Sequence, residues 1–185
     1  YHASTIRDTD SVRERVERTV RKLADVHGEL LVVGKLSILD SLDLPTTRDG
    51  VDVLHYHAAR GLNRAEYDAV AAVGAPHPDV DDLRRDAALL TQDRGDLRVG
   101  GVEHSTRRDC EQPPVYRKLD YADDGGDGRA VPTKHYTGLT GALFREGREK
   151  ELEQVVHRIR PLLADDDQHA YLLTNVPTDL PVDEV

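Results

Sequence analysis

The chain has no methionine, no tryptophan, one phenylalanine and one cysteine, Cys110. A single cysteine excludes an intramolecular disulfide framework and a zinc site built from several thiolates. Hydrophobic residues are 38% of the 185 positions and aromatic residues 4%. The first figure lies below the share of about 45–50% usual for globular chains when glycine is counted. No stretch approaches the ~18 apolar residues of a membrane-spanning helix, which excludes a helical membrane protein. Residues 1–10 are polar, so no secretory signal is expected, and the absence of methionine even at position 1 points to a piece of a longer protein. The length suits one sizeable domain or two small ones.

Lysine is also scarce. Five Lys stand beside 20 Arg, against 24 Asp and 11 Glu, for a net charge of −10. A field of that sign repels phosphate and argues against a chain that coats nucleic acid by bulk charge. Abundant Asp, little Lys and much Val and Ala form the composition of proteins that work in molar salt, as in salt-in halophilic archaea. Short carboxylates stay solvated there, and a Debye length of about 3 Å screens their mutual repulsion. The charge then reports the solvent more than the partner, and the expected location is a high-salt archaeal cytoplasm.

Along the chain, Val12, Val16, Val20 and Leu23 recur at helical spacing, so 12–26 is expected as a helix. Residues 29–34 read as a buried strand, 37–42 as a short helix, 51–57 and 67–74 as two further strands, and 79–90 as a capped helix. Residues 93–141 are glycine-rich, with strands expected at 97–102, 115–121 and 129–136 and a hairpin-type turn at Asp123–Gly128. A helix is expected over 145–163 and a strand over 170–174. Helix–strand alternation on both sides of the glycine-rich stretch predicts an α/β layered domain with a largely parallel sheet, split by a β-rich insertion. The expected division is 1–92, the insertion 93–141, and the remainder 142–185.

Two segments could carry chemistry. In the first, a strand runs into His57-Ala-Ala-Arg60-Gly61-Leu62-Asn63 and a second strand ends in Gly74-Ala75-Pro76. Loops after the carboxyl ends of parallel strands are where open α/β sheets bind ligands. Gly61 permits close backbone approach, and Asn63 can hold a turn or meet a phosphate. The second segment is Glu151-Leu-Glu-Gln154-Val-Val-His157-Arg158-Ile-Arg160-Pro161. Its apolar stripe centres on Leu152, Val155 and Ile159, which puts Gln154 and Arg158 on the opposite face. Arg160 lies far around the helix from Arg158, so the two cannot serve one phosphate unless the helix ends at Ile159. Pro161 requires an end or kink nearby.

In this order the two segments resemble motifs V and VI of superfamily-two helicases, and the strand at 30–33 with Gly34 and Lys35 falls where motif IV opens the second RecA-like domain. The resemblance spans about 12–90 and 145–175. It is closest to helicase-like proteins of haloarchaea, which share patterns like those at 157–161 and 173–181. Three positions depart from the family: Asn63 stands where Asp is usual, His157 where Gly is usual, and Pro161 where the last arginine is usual, with Arg160 one place early. The resemblance implies a RecA-like fold and a role in an ATP-dependent helicase or translocase. ATP and Mg2+ would sit at an interface with a separate, N-terminal RecA-like domain. Arg158 or Arg160 would be the arginine finger, Gln154 would sense nucleotide, and the Gly61–Asn63 turn would couple nucleotide state to the track. Lys35, Ser37 and Arg60 would meet DNA or RNA, with DNA the preferred substrate. No Gly-x4-Gly-Lys-Ser/Thr loop and no DEAD- or DEAH-type box is present, so the chain alone is not expected to hydrolyse ATP.

Two other readings come from other classes. A nucleic-acid-binding module without catalysis would use Tyr116, Tyr121 and Tyr136 with Arg107, Arg108 and Arg117 to stack and clamp a single strand. A metal-dependent hydrolase would use His55 and His57 with the His77, Asp79, Asp81 and Asp82 group, although spacing fixes no third ligand and no metal is expected. Cys110, between two acidic residues, is assigned no role.

Overall fold

Alternating apolar positions and short turns build the elements seen in the computed structural model, which describes residues 10–45, 50–56, 58, 66–120, 129–159 and 167–183. In chain order these are α1 (Asp10–Val26), β1 (Leu30–Gly34), α2 (Leu36–Leu39), β2 (Val51–His55), β3 (Ala69–Val73), α3 (Val80–Thr91), β4 (Glu103–His104), β5 (Val115–Lys118), β6 (Ala130–Thr133), β7 (His135–Tyr136), α4 (Gly138–Arg145), a π-helical turn (Glu146–Lys150), α5 (Glu151–Val156), a 3-10 turn (His157–Ile159) and β8 (His169–Leu173). The chain divides into two units. Tyr1–Pro76 joins Glu151–Asn175 in the first, and His77–Lys150 joins Val176–Val185 in the second.

The first unit is an α/β layer built on a four-stranded parallel sheet of order β2-β1-β3-β8. Its central strands, Leu30-Leu-Val-Val-Gly and Ala69-Val-Ala-Ala-Val, are buried at every position, as continuous apolar strands covered on both faces must be. The α1 stripe of Val16, Val20 and Ala24 packs with Leu30, Val32, Ala69, Ala71 and Val73. Those are alternate positions on their strands and so share one sheet face. The intervening Leu31, Val33, Val70 and Ala72 are equally buried. Helix α5 packs on β3 and buries Leu152 and Val155, followed by Ile159 of the 3-10 turn.

In the second unit α3 packs on α4. Asp79 caps α3, its carboxylate accepting from the amides of Asp81 and Asp82 at 2.8 and 3.2 Å. Four short strands form two antiparallel pairs, β4 with β7 and β5 with β6. The strand expected at 97–102 is absent. Gly100 and Gly101 adopt positive φ, 69° and 106°, which breaks an extended run. Those residues instead receive the first turn of α4. Arg98 and Val99 carbonyls accept from the amides of Leu139 and Thr140 at 2.9 and 3.0 Å, doing the work of a side-chain cap that Thr137 does not supply. Helical structure therefore starts at Gly138, seven residues before the expected Arg145, because glycines 138 and 141 read as loop signals in the sequence. The expected strand at 129–136 is two strands, and Asp123–Gly128 lies outside the described residues. Among the described residues no helix is long and apolar enough to cross a membrane.

The π-helical turn holds a charged pair in the interior. Arg148 and Glu149 are 2% and 1% exposed. Arg148 donates through Nε and Nη2 to the two Glu149 oxygens at 3.1 and 2.6 Å, and through Nη2 to Thr133 Oγ1 and the Lys134 carbonyl, both at 3.0 Å. Its guanidinium also lies 4.4 Å from the Phe144 ring centre, a cation–π contact. These bonds, with the ring contact, are what keep two buried charges tolerable. Arg148→Leu leaves Glu149 buried without its principal counter-ion and is expected to cost about 3–5 kcal/mol, read from urea unfolding; a loss below about 1 kcal/mol would show that the pair does not hold this unit.

Candidate functional site: the carboxyl edge of the parallel sheet

All four strands run the same way and in register, so Gly34, His55, Val73 and Leu173 end in one row. The chain leaves the sheet there three times before the final strand, and each departure carries residues singled out by sequence. Lys35 follows Gly34 directly and is exposed. Its carbonyl accepts from the amides of Ile38 and Leu39 at 2.8 and 3.0 Å, which starts α2 and carries Ser37. Arg60, Gly61 and Asn63 follow β2 in the sequence but lie outside the described residues, as do His57 and Arg160.

Tyr56 locks this edge. It is 3% exposed. Its amide donates to the Gly34 carbonyl at 3.1 Å, and its hydroxyl donates to the Gly74 carbonyl at 2.8 Å. One side chain therefore spans from β2 across β1 to the end of β3. Burial pushes its phenol far above the ordinary tyrosine range, with the nearby Glu151 charge adding to the effect, so the hydroxyl stays a donor. Gly34 permits the closure: a Cβ at this position would meet Leu39 side-chain carbons at 2.9 and 3.1 Å and the Val73 carbonyl at 3.1 Å. Sequence reasoning passed over Tyr56. Its signal was a tyrosine one residue past a strand end, which single-residue patterning does not distinguish from a loop aromatic.

Glu151 is buried and opens α5 within electrostatic range of the Tyr56 hydroxyl. Strand β8 begins at His169, paired with Ala69 at the amino end of β3. Between them the chain must travel from the carboxyl edge to the amino edge. Gln154 thus stands about 4–5 Å along the helix axis from Glu151, at 1.5 Å per residue, and Arg158 lies farther on, in the 3-10 turn. Gln154 is exposed and Arg158 is half-buried, while Leu152, Val155 and Ile159 are buried. Arg158 makes no ion pair with a carboxylate among the described residues. Beside β2, a cleft of about 370 Å3 is lined by Leu36, Leu39, Leu42, Leu44, Val53 and His55, among others.

The residues of the metal reading are engaged otherwise. Among the described residues no group of three or more His, Cys, Asp or Glu could hold a metal ion. His55 Nδ1 accepts from the Ala58 amide at 3.1 Å, Asp79 caps α3, and Asp81 and Asp82 pair with Arg84 and Arg85. Of the residues named for a stacking platform, Tyr136 is withdrawn into the interior. It is 2% exposed and donates to Glu103 Oε2 at 3.1 Å. Arg107 pairs with Asp109, and Arg117 with Glu149 and Asp179. Tyr116 is 64% exposed, and Tyr121 lies outside the described residues.

The amino edge carries a histidine cluster that the sequence did not reveal. His27 Nε2 is 2.9 Å from the Tyr171 hydroxyl, and its ring centre is 5.0 Å from that of His169. Asp68 closes the group, accepting from the Glu29 amide at 2.9 Å. Burial, then the charge of His169, lowers the His27 pKa from 6.5, with Asp68 opposing.

Tyr56→Phe is expected to cost about 1–3 kcal/mol, because it strips a buried carbonyl of its donor; an unchanged urea midpoint would exclude the lock. The His27 shift sets a pH dependence. Below the ordinary histidine value the unfolded chain binds a proton that the folded chain resists, so stability falls as pH falls through 6.5. His135, also lowered chiefly by burial, adds with the same sign. Between about pH 7.5 and 5.5 the wild type should lose more stability than His27→Gln, and parallel curves would remove His27 as a source. No protein-family model, curated protein or solved structure matches this chain.

Proposed function

We propose that the first unit is the second RecA-like domain of an ATP-dependent nucleic-acid motor from a high-salt archaeal cytoplasm, working beside a separate domain that holds ATP and Mg2+. The observation that carries this reading is the shared carboxyl edge. A parallel strand leads toward Arg60-Gly61-Leu62-Asn63, the next strand ends at Gly74-Ala75-Pro76 in the same row, and Lys35 leaves the adjacent strand there. Helix α5, which carries Gln154, sets out from that edge, and Arg158 lies in the 3-10 turn that follows it.

ATP supplies the phosphoryl group whose transfer drives such a motor. What this chain would contribute is positive charge aimed at an anion held by its neighbour. Gln154, exposed on the first turn of α5, would contact nucleotide. Arg158 starts farther from the edge, but the Cα–Cβ bond of a helical residue tilts toward the helix N-terminus, which here is the carboxyl edge. Arg160 is the other candidate finger. Lys35, Ser37 and Arg60 would touch backbone phosphates of the track, DNA in preference to RNA.

In the protein assembled with its phosphate-binding domain, nucleic-acid-stimulated ATP hydrolysis is expected. Arg158→Ala or Arg160→Ala should lower kcat by about a thousandfold or more while nucleotide affinity holds. Full ATPase activity in both variants would end the finger assignment, and an assembled wild type without ATPase would end the motor reading.

A further inference from the structure

In the second unit, three cations from different elements meet one carboxylate. Arg117 comes from β5, Arg145 is the last residue of α4, and Lys150 is the last of the π-helical turn. Asp179 accepts from Lys150 Nζ at 2.8 Å, from Arg145 Nη2 at 3.3 Å, and from Arg117 Nη2. The other amino group of Arg117 reaches Glu149 Oε1 at 3.4 Å and the Pro177 carbonyl at 3.3 Å. Glu149 is already engaged by Arg148. Arg117, Arg145, Arg148 and Lys150 meet the Glu149 and Asp179 carboxylates, and Lys150 and Asp179 have further partners besides.

Among the described residues Arg145 Nε is buried and meets no acceptor. The cluster is nonetheless open to solvent, with the side chains of Arg145, Lys150 and Asp179 41%, 38% and 43% exposed. Asp179 reaches it from a segment whose Val176, Pro177 and Thr178 are buried. The Lys150 hydrogen bond above all, with the Arg117 and Arg145 charges, holds the Asp179 carboxyl below the usual carboxylate range. One carboxylate offers two oxygens and a single charge to three cations. A phosphate group offers more oxygens and, as a monoester, a charge near −2 at neutral pH. Arginine matches it through paired N–H donors, and lysine as a point charge.

We propose that Arg117, Arg145 and Lys150 form a phosphate-binding site in which the Asp179 carboxylate occupies the place of the phosphate, and that a phosphate group displaces it. The ligand is a nucleotide or free phosphate, or a phosphodiester of a nucleic-acid backbone; the chemistry recognised is the same. The site lies wholly within the second unit and does not rest on the motor reading.

The test is calorimetric titration of the full chain, in a chloride salt that keeps it folded, with inorganic phosphate, ADP and a short oligothymidylate. Binding of phosphate or ADP alone identifies a terminal phosphate as ligand, and binding of the oligonucleotide identifies a phosphodiester. Asp179→Asn should tighten binding by about tenfold, and Arg145→Ala should weaken it by about tenfold, the scale of one hydrogen bond to a charged group. The proposal is overturned if no probe binds wild type or Asp179→Asn, if folded Asp179→Asn binds no tighter, or if Arg145→Ala binds as wild type does. Should circular dichroism show Asp179→Asn unfolded, the Arg145→Ala titration decides alone.

Discussion

Strand β1 is hydrogen-bonded on both sides, to β2 and β3, and buried at every residue. A strand in that position has no face and no edge for a polar side chain, which is why Leu30-Leu-Val-Val-Gly34 contains none. Its parallel pairing imposes the rest of the first unit. Parallel neighbours cannot be joined by a hairpin, so each connection must carry the chain from the carboxyl edge back to the amino edge. Every such connection begins at the same row of residues. The segments after Gly34, His55 and Val73 therefore share an edge by necessity, whatever their sequences, and that edge is where chemistry can be assembled from parts distant in the chain.

Tyr56 shows how the edge is kept in register. A backbone bond to Gly34 and a hydroxyl bond to Gly74 span three strand ends with one residue. At the opposite edge, Asp68 does comparable work: its side chain receives the Glu29 amide and its backbone carbonyl the amide of His169. Both ends of the sheet are thus tied by groups outside the regular ladder, which leaves few backbone polar groups unpaired as the strands end.

Charge is used in two distinct ways. Several arginines pair with an aspartate two or three residues away on the surface, as in Arg13 with Asp10, Arg84 with Asp81, and Arg94 with Asp96. Such exposed pairs contribute little each, at most about 1 kcal/mol, and suit a surface dense in short carboxylates. Arg148 and Glu149 are different. They lie in the interior, hydrogen-bonded to each other, with Arg148 over the Phe144 ring, and Arg117 links them outward to Asp179. Arginine rather than lysine occupies these buried positions because its planar fork satisfies several acceptors at once.

Local pattern alone determined most of the first unit and, in the second, the start of α3. The four-residue stripe of α1, the unbroken apolar runs of β1 and β3, and the Asp79 cap of α3 each depend on residues close in sequence, and they stand within a few residues of where periodicity puts them. The resulting α/β class and the identity of the strand-end loops followed. Tertiary structure decided what local pattern could not encode. The 97–102 run is apolar enough for a strand, yet its carbonyls are taken by the first turn of a helix that starts forty residues later. Nothing in the local pattern marks Arg148 and Glu149 for the interior; the π-helical turn carries them there. The convergence of Arg117, Arg145 and Lys150 on Asp179 joins positions up to 62 apart in sequence. Helical and strand periodicity reports which way a side chain faces relative to its own element; which partner it meets there is settled only by how the elements pack.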